Sequence, residues 1–148
     1  MPLTASVSRT VRATPTEAFA KFVDFPSWKQ FMPRAFRPLS GPDRALRTGD
    51  RLRALLDTGK LRIPVPVKVF RVEAPREVVW GGGNALLRAE HRFVFEDAGD
   101  GTTRIHSDED WTGVLTRIPP IARRLKRQAE IVGAAQLDGF MRFMERGA

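Results

Sequence analysis

The amino-acid sequence predicts an α+β fold: an antiparallel β-sheet wrapped around one long C-terminal helix, with short helices after the first strand. Three observations carry this. Apolar and polar side chains alternate in Ser6–Ala13, Asp50–Asp57, Leu86–Glu96 and Thr102–Val114, the period-two signature of half-buried strands. The last two runs are joined by Asp97-Ala98-Gly99-Asp100-Gly101, a short segment with two glycines that reads as a hairpin turn. From Pro119-Pro120 onward the period becomes helical: Leu125, Ala129, Val132, Gln136, Phe140 and Phe143 recur every three or four residues, to about residue 145.

The elements follow in order. In Ser6–Ala13, Val7, Arg9 and Val11 face one way and Ser8, Thr10 and Arg12 the other. Thr14 is the predicted N-cap of a helix, with Pro15 at its first position and Glu17 placed for a capping box. Ala18, Phe19, Phe22 and Val23 form its apolar stripe, and Pro26 stops it. Ser27–Met32 predicts one further helical turn, ended by Pro33, and a short strand is expected near 35–39. In Asp50–Asp57, Leu52, Ala54 and Leu56 share a face, and Thr58-Gly59-Lys60 reads as a turn. Ile63–Glu73 is rich in Val and Ile. Pro64 and Pro66 near its start predict a sheet edge or a bulge, because proline cannot donate to a ladder. Glu77-Val78-Val79-Trp80 predicts a short strand broken by a flexible turn at Gly81-Gly82-Gly83, and Gly133 and Gly139 are expected to let the last helix pack closely on the sheet.

A chain of 148 residues suffices for one domain with one core, taken as residues 1–148. Hydrophobic residues make up 42% and charged residues 28%, which excludes extensive disorder. Without cysteine there are no disulfides, no Cys-ligated zinc or iron–sulfur sites and no thiol nucleophile. The first residues lack a basic start followed by a long apolar run, and nowhere do about 18 apolar residues follow one another, so a cytoplasmic location is expected. Twenty of the 25 basic residues are arginine, and most are scattered, as Arg-rich codon usage would leave them. Only Arg123-Arg124-Leu125-Lys126-Arg127 is dense. Cations in the first turns of a helix oppose its dipole, by roughly 0.3–1 kcal/mol each. The run therefore reads either as a solvated face or as a contact, through Arg123, Arg124 and Arg127, with anionic lipid headgroups. No nucleic-acid motif accompanies it, and no nucleic-acid partner is expected.

The segment Ala89–Glu96, followed by Gly101-Thr102-Thr103-Arg104 and Glu109-Asp110-Trp111-Thr112-Gly113-Val114-Leu115, resembles the "H-F-F-E … G-T-R … E-aromatic-x-G-x-L" hairpin of the START-like, or helix-grip, superfamily. This superfamily is also known as polyketide cyclase/dehydrase or SRPBCC. Phe25-Pro26-Ser27-Trp28 after the first helix agrees with it, and the resemblance spans roughly residues 5–145. It implies an elongated cavity between a concave sheet and the last helix.

Strand parity then selects the residues that face such a cavity. His91, Phe93 and Phe95 share one face; Ser107, Glu109 and Trp111, with Thr103 and Ile105, share the matching face of the next strand. If Phe95 or Glu96 lies opposite Thr103, His91 falls opposite Ser107, with Glu109 a diagonal neighbour. His91 and Glu109 either satisfy each other within the sheet or orient a ligand and act as general acid and base. Trp80 is expected at the cavity wall or in the core; Trp28, Phe31 and Phe36 as a lid or a plug at one end. From the helix come Phe140 and Gln136, the one polar member of its stripe, which contacts a ligand or caps a sheet carbonyl.

Other chemistries find no support. His91 and His106 face opposite sides, paired-His spacing is absent, and no metal or cofactor is expected. Gly-x-Ser-x-Gly does not occur, and Asp108, Glu109 and Asp110 alternate between faces. The sequence thus points first to binding or carrying a hydrophobic or amphipathic molecule, such as a lipid, a quinone or a polyketide-like aromatic, by a monomer or dimer. A cyclase or dehydratase using the same cavity is the alternative, and an anionic-membrane module acting through the basic helix a third.

Overall fold

A computed structural model describes residues 2–147. The hairpin at its centre turns on Asp100 and Gly101, both with positive φ (53° and 72°), the backbone hand that matches the twist of paired strands. The turn is therefore shorter than the five residues expected. The ladder of β6 (Arg88–Gly99) and β7 (Thr102–Thr112) runs to the pair Gly99↔Thr102 through a bulge next to Asp97. That bulge places Asp97, rather than Phe95 or Glu96, opposite Thr103, so His91 lies directly opposite Glu109 and not Ser107. A slip of two residues keeps every side chain on its face, so the parity assignment survives the corrected register.

Around this hairpin the strands form one seven-stranded antiparallel sheet in the order β1-β7-β6-β5-β4-β3-β2. β1 (Leu3–Val11) pairs along the whole of β7, starting three residues earlier than its alternation suggested. On the outer face, Thr4 and Ser6 donate to Asp110 and Asp108 at 2.7 and 2.6 Å, and Ser8 bonds His106 Nδ1 at 2.9 Å. The half-buried acids of β7 are thereby held by hydroxyls across the ladder. β2 (Phe36–Ser40), β3 (Arg51–Asp57), β4 (Arg62–Glu73) and β5 (Glu77–Gly83) complete the sheet.

Two strands depart from expectation. β4 is an internal strand, yet only its second half, from Lys68 onward, pairs with β5. Val69 N–H donates to Asp50 on the β3 side, so the even positions Pro64 and Pro66 turn the site of their missing N–H toward β5, where no partner stands. The prolines thus mark a local free edge inside the sheet. Gly81, Gly82 and Gly83 are not a flexible turn; they belong to β5 and pair with Glu90, Ala89 and Arg88. A Cβ at Gly81 would collide with the Ala89 carbonyl oxygen, so the backbones approach more closely than any side chain allows.

α1 (Pro15–Phe22) carries the full capping box: Glu17 N–H donates to Thr14 Oγ1, and Thr14 N–H to the Glu17 carboxylate. A 3₁₀ turn (Phe25–Ser27) and α2 (Trp28–Phe31) follow. α3 (Pro119–Arg146) crosses the concave face of the sheet. Gly133 packs on that face near Val7 and Ser107, whereas Gly139 serves α2, since a Cβ there would strike the Phe31 carbonyl oxygen. Arg9 of β1 reaches Asp138 of α3 at 2.8 Å and ties the edge strand to the helix. No helix among the described residues is long and apolar enough to cross a membrane.

Candidate functional site

The sheet and α3 enclose an aromatic core at one end and a hollow at the other. In the core, Phe22 packs against Phe31, Phe93, Phe95 and Phe140 at centroid distances of 4.7–5.8 Å. Trp28 is fully buried, and its indole N–H donates to the Phe22 carbonyl at 2.8 Å. Trp28, Phe31, Phe93, Phe95 and Phe140, expected at the cavity, lie in this core and do not line the hollow. Each side chain faces inward as its strand or helix period requires. What period cannot distinguish is a residue against another ring from a residue against a void.

The hollow has a volume of about 560 Å³, within the range of small-molecule sites. Trp80 divides it from the core: its ring stacks on Phe36 at 6.5 Å and lies 4.7 and 4.8 Å from Phe93 and Trp28. Trp80, His91, Glu109, Trp111 and Gln136 border the cavity, together with Phe36. Several lining residues were not singled out from the sequence. Leu56, Val65 and Val67 come from the β3–β4 hairpin, Asn84 and Leu87 from the β5–β6 loop, and Leu125, Gln128, Ala129 and Val132 from α3. Their signal was present in the alternation of Ile63, Val65 and Val67 and in the helical stripe. Pro66 of β4 and the glycines of β5 border this hollow, and the glycines supply wall without side chains.

The polar groups at the inner wall form one chain. Ser107 Oγ lies 2.7 Å from His91 Nε2, and Glu109 Oε2 lies 3.2 Å from His91 Nδ1. Glu109 Oε1 accepts the Trp111 indole N–H at 3.0 Å. Ser107 Oγ and His91 Nε2 share one hydrogen bond, whose direction follows the imidazole tautomer. His91 is 4% exposed and stacks on Phe93 at 4.1 Å, so its ring is fixed in its plane. Ser107, expected at the cavity, is buried outside its lining, under Gly133. Its hydroxyl brackets the imidazole.

Gln136 differs from this chain. It is 1% exposed, borders the cavity, and its Oε1 has no hydrogen-bond partner. At the opposite rim Asp57 is fully committed. Gly59 N–H donates to its Oδ1 at 2.8 Å, and Arg62 and Arg34 approach Oδ2 at 3.4 and 3.6 Å. The Gly59 hydrogen bond first, then the charges of Arg62, Arg34 and Arg37, hold its carboxyl below the ordinary carboxylate value.

A concave sheet gripping a long helix over a mostly apolar cavity defines the helix-grip, START-like class. The chain belongs to the family described as polyketide cyclase / dehydrase and lipid transport, whose model matches residues 2–145. No curated protein sequence matches it. Solved structures share the fold at low identity. The ZhuI aromatase/cyclase from Streptomyces sp. R1128 superposes with a TM-score of 0.78 at 10% identity, covering 99% of this chain and 95% of its own. A START superfamily protein from Mycobacterium smegmatis gives 0.74 at 16% identity, covering 98% and 99%. A protein from Thermus thermophilus gives 0.76 at 12%, with the same coverage.

Proposed function

We propose that this protein binds and carries a hydrophobic or amphipathic small molecule (a lipid, a quinone or a polyketide-like aromatic) in the cavity between β3–β7 and α3. The observation that carries the reading is the hollow itself, left beside a core packed to ring contact and walled by Leu56, Val65, Val67, Leu87 and Val132. Affinity would come from burying apolar surface, at roughly 25 cal/mol per Å². His91, Glu109 and Gln136 would set orientation. Native mass spectrometry on protein purified gently from its host tests this. A defined extra mass, lost on denaturation, is expected; a clean apo mass, unchanged after incubation with host lipid extract, would overturn it.

A second reading has its own observation. An imidazole held by Ser107 on one side and Glu109 on the other is oriented as a general base requires, and the family description includes cyclases and dehydrases. A cyclase or dehydratase would lose turnover in His91→Gln or Glu109→Gln while still binding its substrate; no turnover of any polyketide-type substrate by the wild type favours the carrier. We also assign to the exposed Arg123, Arg124 and Arg127, which form no ion pair among the described residues, a weak contact with anionic membranes.

A further inference from the structure

The cavity carries the wrong charge for an anionic ligand. The chain has 25 Lys and Arg against 17 Asp and Glu, for a net charge of +8. Yet no Lys or Arg borders the cavity among the described residues, while two carboxylates do, Glu109 and Asp57. The cations stand on the other side of the same wall. Gly81, Gly82 and Gly83 line both the cavity and a shallow groove on the outer face, where Arg51, Arg53, Lys68 and Arg88 are gathered. None of these four takes part in an ion pair among the described residues. Cations are thus available to these strands and all point outward.

Inside, His91 is no substitute for a cation. Its Nε2 bonds Ser107 and its Nδ1 lies 3.2 Å from the Glu109 carboxylate, so the imidazole stands beside a negative group and offers no free cation. The Trp111 N–H is likewise spent on Glu109. Among the buried polar atoms of the lining residues, Gln136 Oε1 is left without a partner. A carboxylate or phosphate entering here would lose its hydration, meet the Glu109 carboxylate, and find no cation among the lining side chains, since Arg62 and Arg34 are taken up by Asp57 at the rim. A hydroxyl or an amine would find the Gln136 amide at the wall and the Glu109 carboxylate as a favourable neighbour.

We propose that the cavity selects apolar molecules whose polar end is an uncharged or cationic hydrogen-bond donor, and rejects those ending in a carboxylate or phosphate. This rests on the carrier reading above and narrows its ligand class, setting aside free fatty acids and acidic lipids as cargo.

Calorimetric titration at pH 7.5 with four probes of one apolar body tests it: 1-naphthol, 1-naphthylmethylamine, 1-naphthoate and 1-methylnaphthalene. Naphthol and the amine are expected to bind about tenfold or more tighter than naphthoate, the factor that about 1.4 kcal/mol of unfavourable charge placement produces. In Gln136→Leu, naphthol should lose its advantage over 1-methylnaphthalene while the hydrocarbon still binds. In Ala129→Lys, which adds a cation to the wall, naphthoate should gain. Naphthoate binding as tightly as naphthol to the wild type would overturn the charge selection alone, since the cavity would still be shown to take an apolar body. If none of the four binds, the carrier reading falls with it.

Discussion

The interface between the sheet and α3 is built twice, in two ways. Toward the C-terminal end of α3, Phe140 meets Phe22 and Phe31 at 5.1 Å each, and Trp28, Phe93 and Phe95 close the space around them. Toward its N-terminal half, Leu125, Ala129 and Val132 face Leu56, Val65, Val67 and bare glycine backbone across a hollow of about 560 Å³. The two halves share one helix, one sheet and one alternation of side chains. They differ in side-chain size and in polar content, since the aromatic half holds rings and the hollow half holds aliphatic residues, glycines and the Ser107–His91–Glu109–Trp111 chain. Stability is thus concentrated in one half, which leaves the other free to be empty. A void lined by a fold's own strands is tolerable only when something else holds the helix down.

The sharpest way to break this comparison is to truncate one large apolar residue in each half. Phe22→Ala should destabilise by about 3–5 kcal/mol, because it opens a cavity among the rings of Phe31, Trp80, Phe93, Phe95 and Phe140. Leu87→Ala should cost under about 1.5 kcal/mol, since that side chain already borders a void. Denaturant unfolding of both variants checks this, and equal losses would deny the division. Next in size, Glu109→Leu leaves the Trp111 indole N–H without an acceptor and removes the carboxylate beside His91, and should cost about 1–3 kcal/mol, with His91→Leu in the same background adding less than it does alone.

A smaller effect follows from Asp50, which anchors the loop before β3. Arg44 donates to it at 2.8 and 3.0 Å and Arg47 N–H at 2.8 Å; the Arg44 bond is the main cause of a carboxyl held below its ordinary value. A depressed folded-state value contributes stability that is full above the unfolded-state value of about 3.9 and is lost as pH falls through the folded one. Melting temperature should therefore fall with acid in the wild type, and less steeply in Asp50→Asn. Smallest of all, Arg123→Gln, Arg124→Gln and Arg127→Gln together should raise stability by under about 1 kcal/mol, because all three lie past the first turn of α3, where the dipole effect falls off. Salt-sensitive sedimentation with anionic vesicles should be lost in that triple variant, and binding that persists at high salt would contradict the membrane contact.

How much of this was legible in the sequence depends on what each feature rests on. The capping box of α1, the stripe of α3 and the inward face of β6 and β7 depend on local spacing, and residues such as Thr14, Glu17, Val132 and His91 show it directly. The His91–Glu109 pairing depends on register, which the bulge beside Asp97 and the tight Asp100-Gly101 turn displaced by two residues. Pro64 and Pro66 announced a free edge, but that the edge lies inside the sheet depends on where β5 stops pairing. The glycines of β5 looked like a turn because the close approach that requires them is made by residues of another strand. Core and cavity could not be told apart at all: Phe93 and His91 share a strand face, and only the three-dimensional filling decides which one meets a void.

The central claim, that the hollow half of the interface is the ligand site, is tested most directly by filling it. Ala129→Phe places a ring in the cavity from α3 without touching the aromatic half. Native mass spectra of wild type and variant, purified side by side from the host, give the comparison. The account predicts a co-purifying mass on the wild type, and none on a variant that melts at or above the wild-type temperature. The same mass at the same occupancy on both proteins would contradict it.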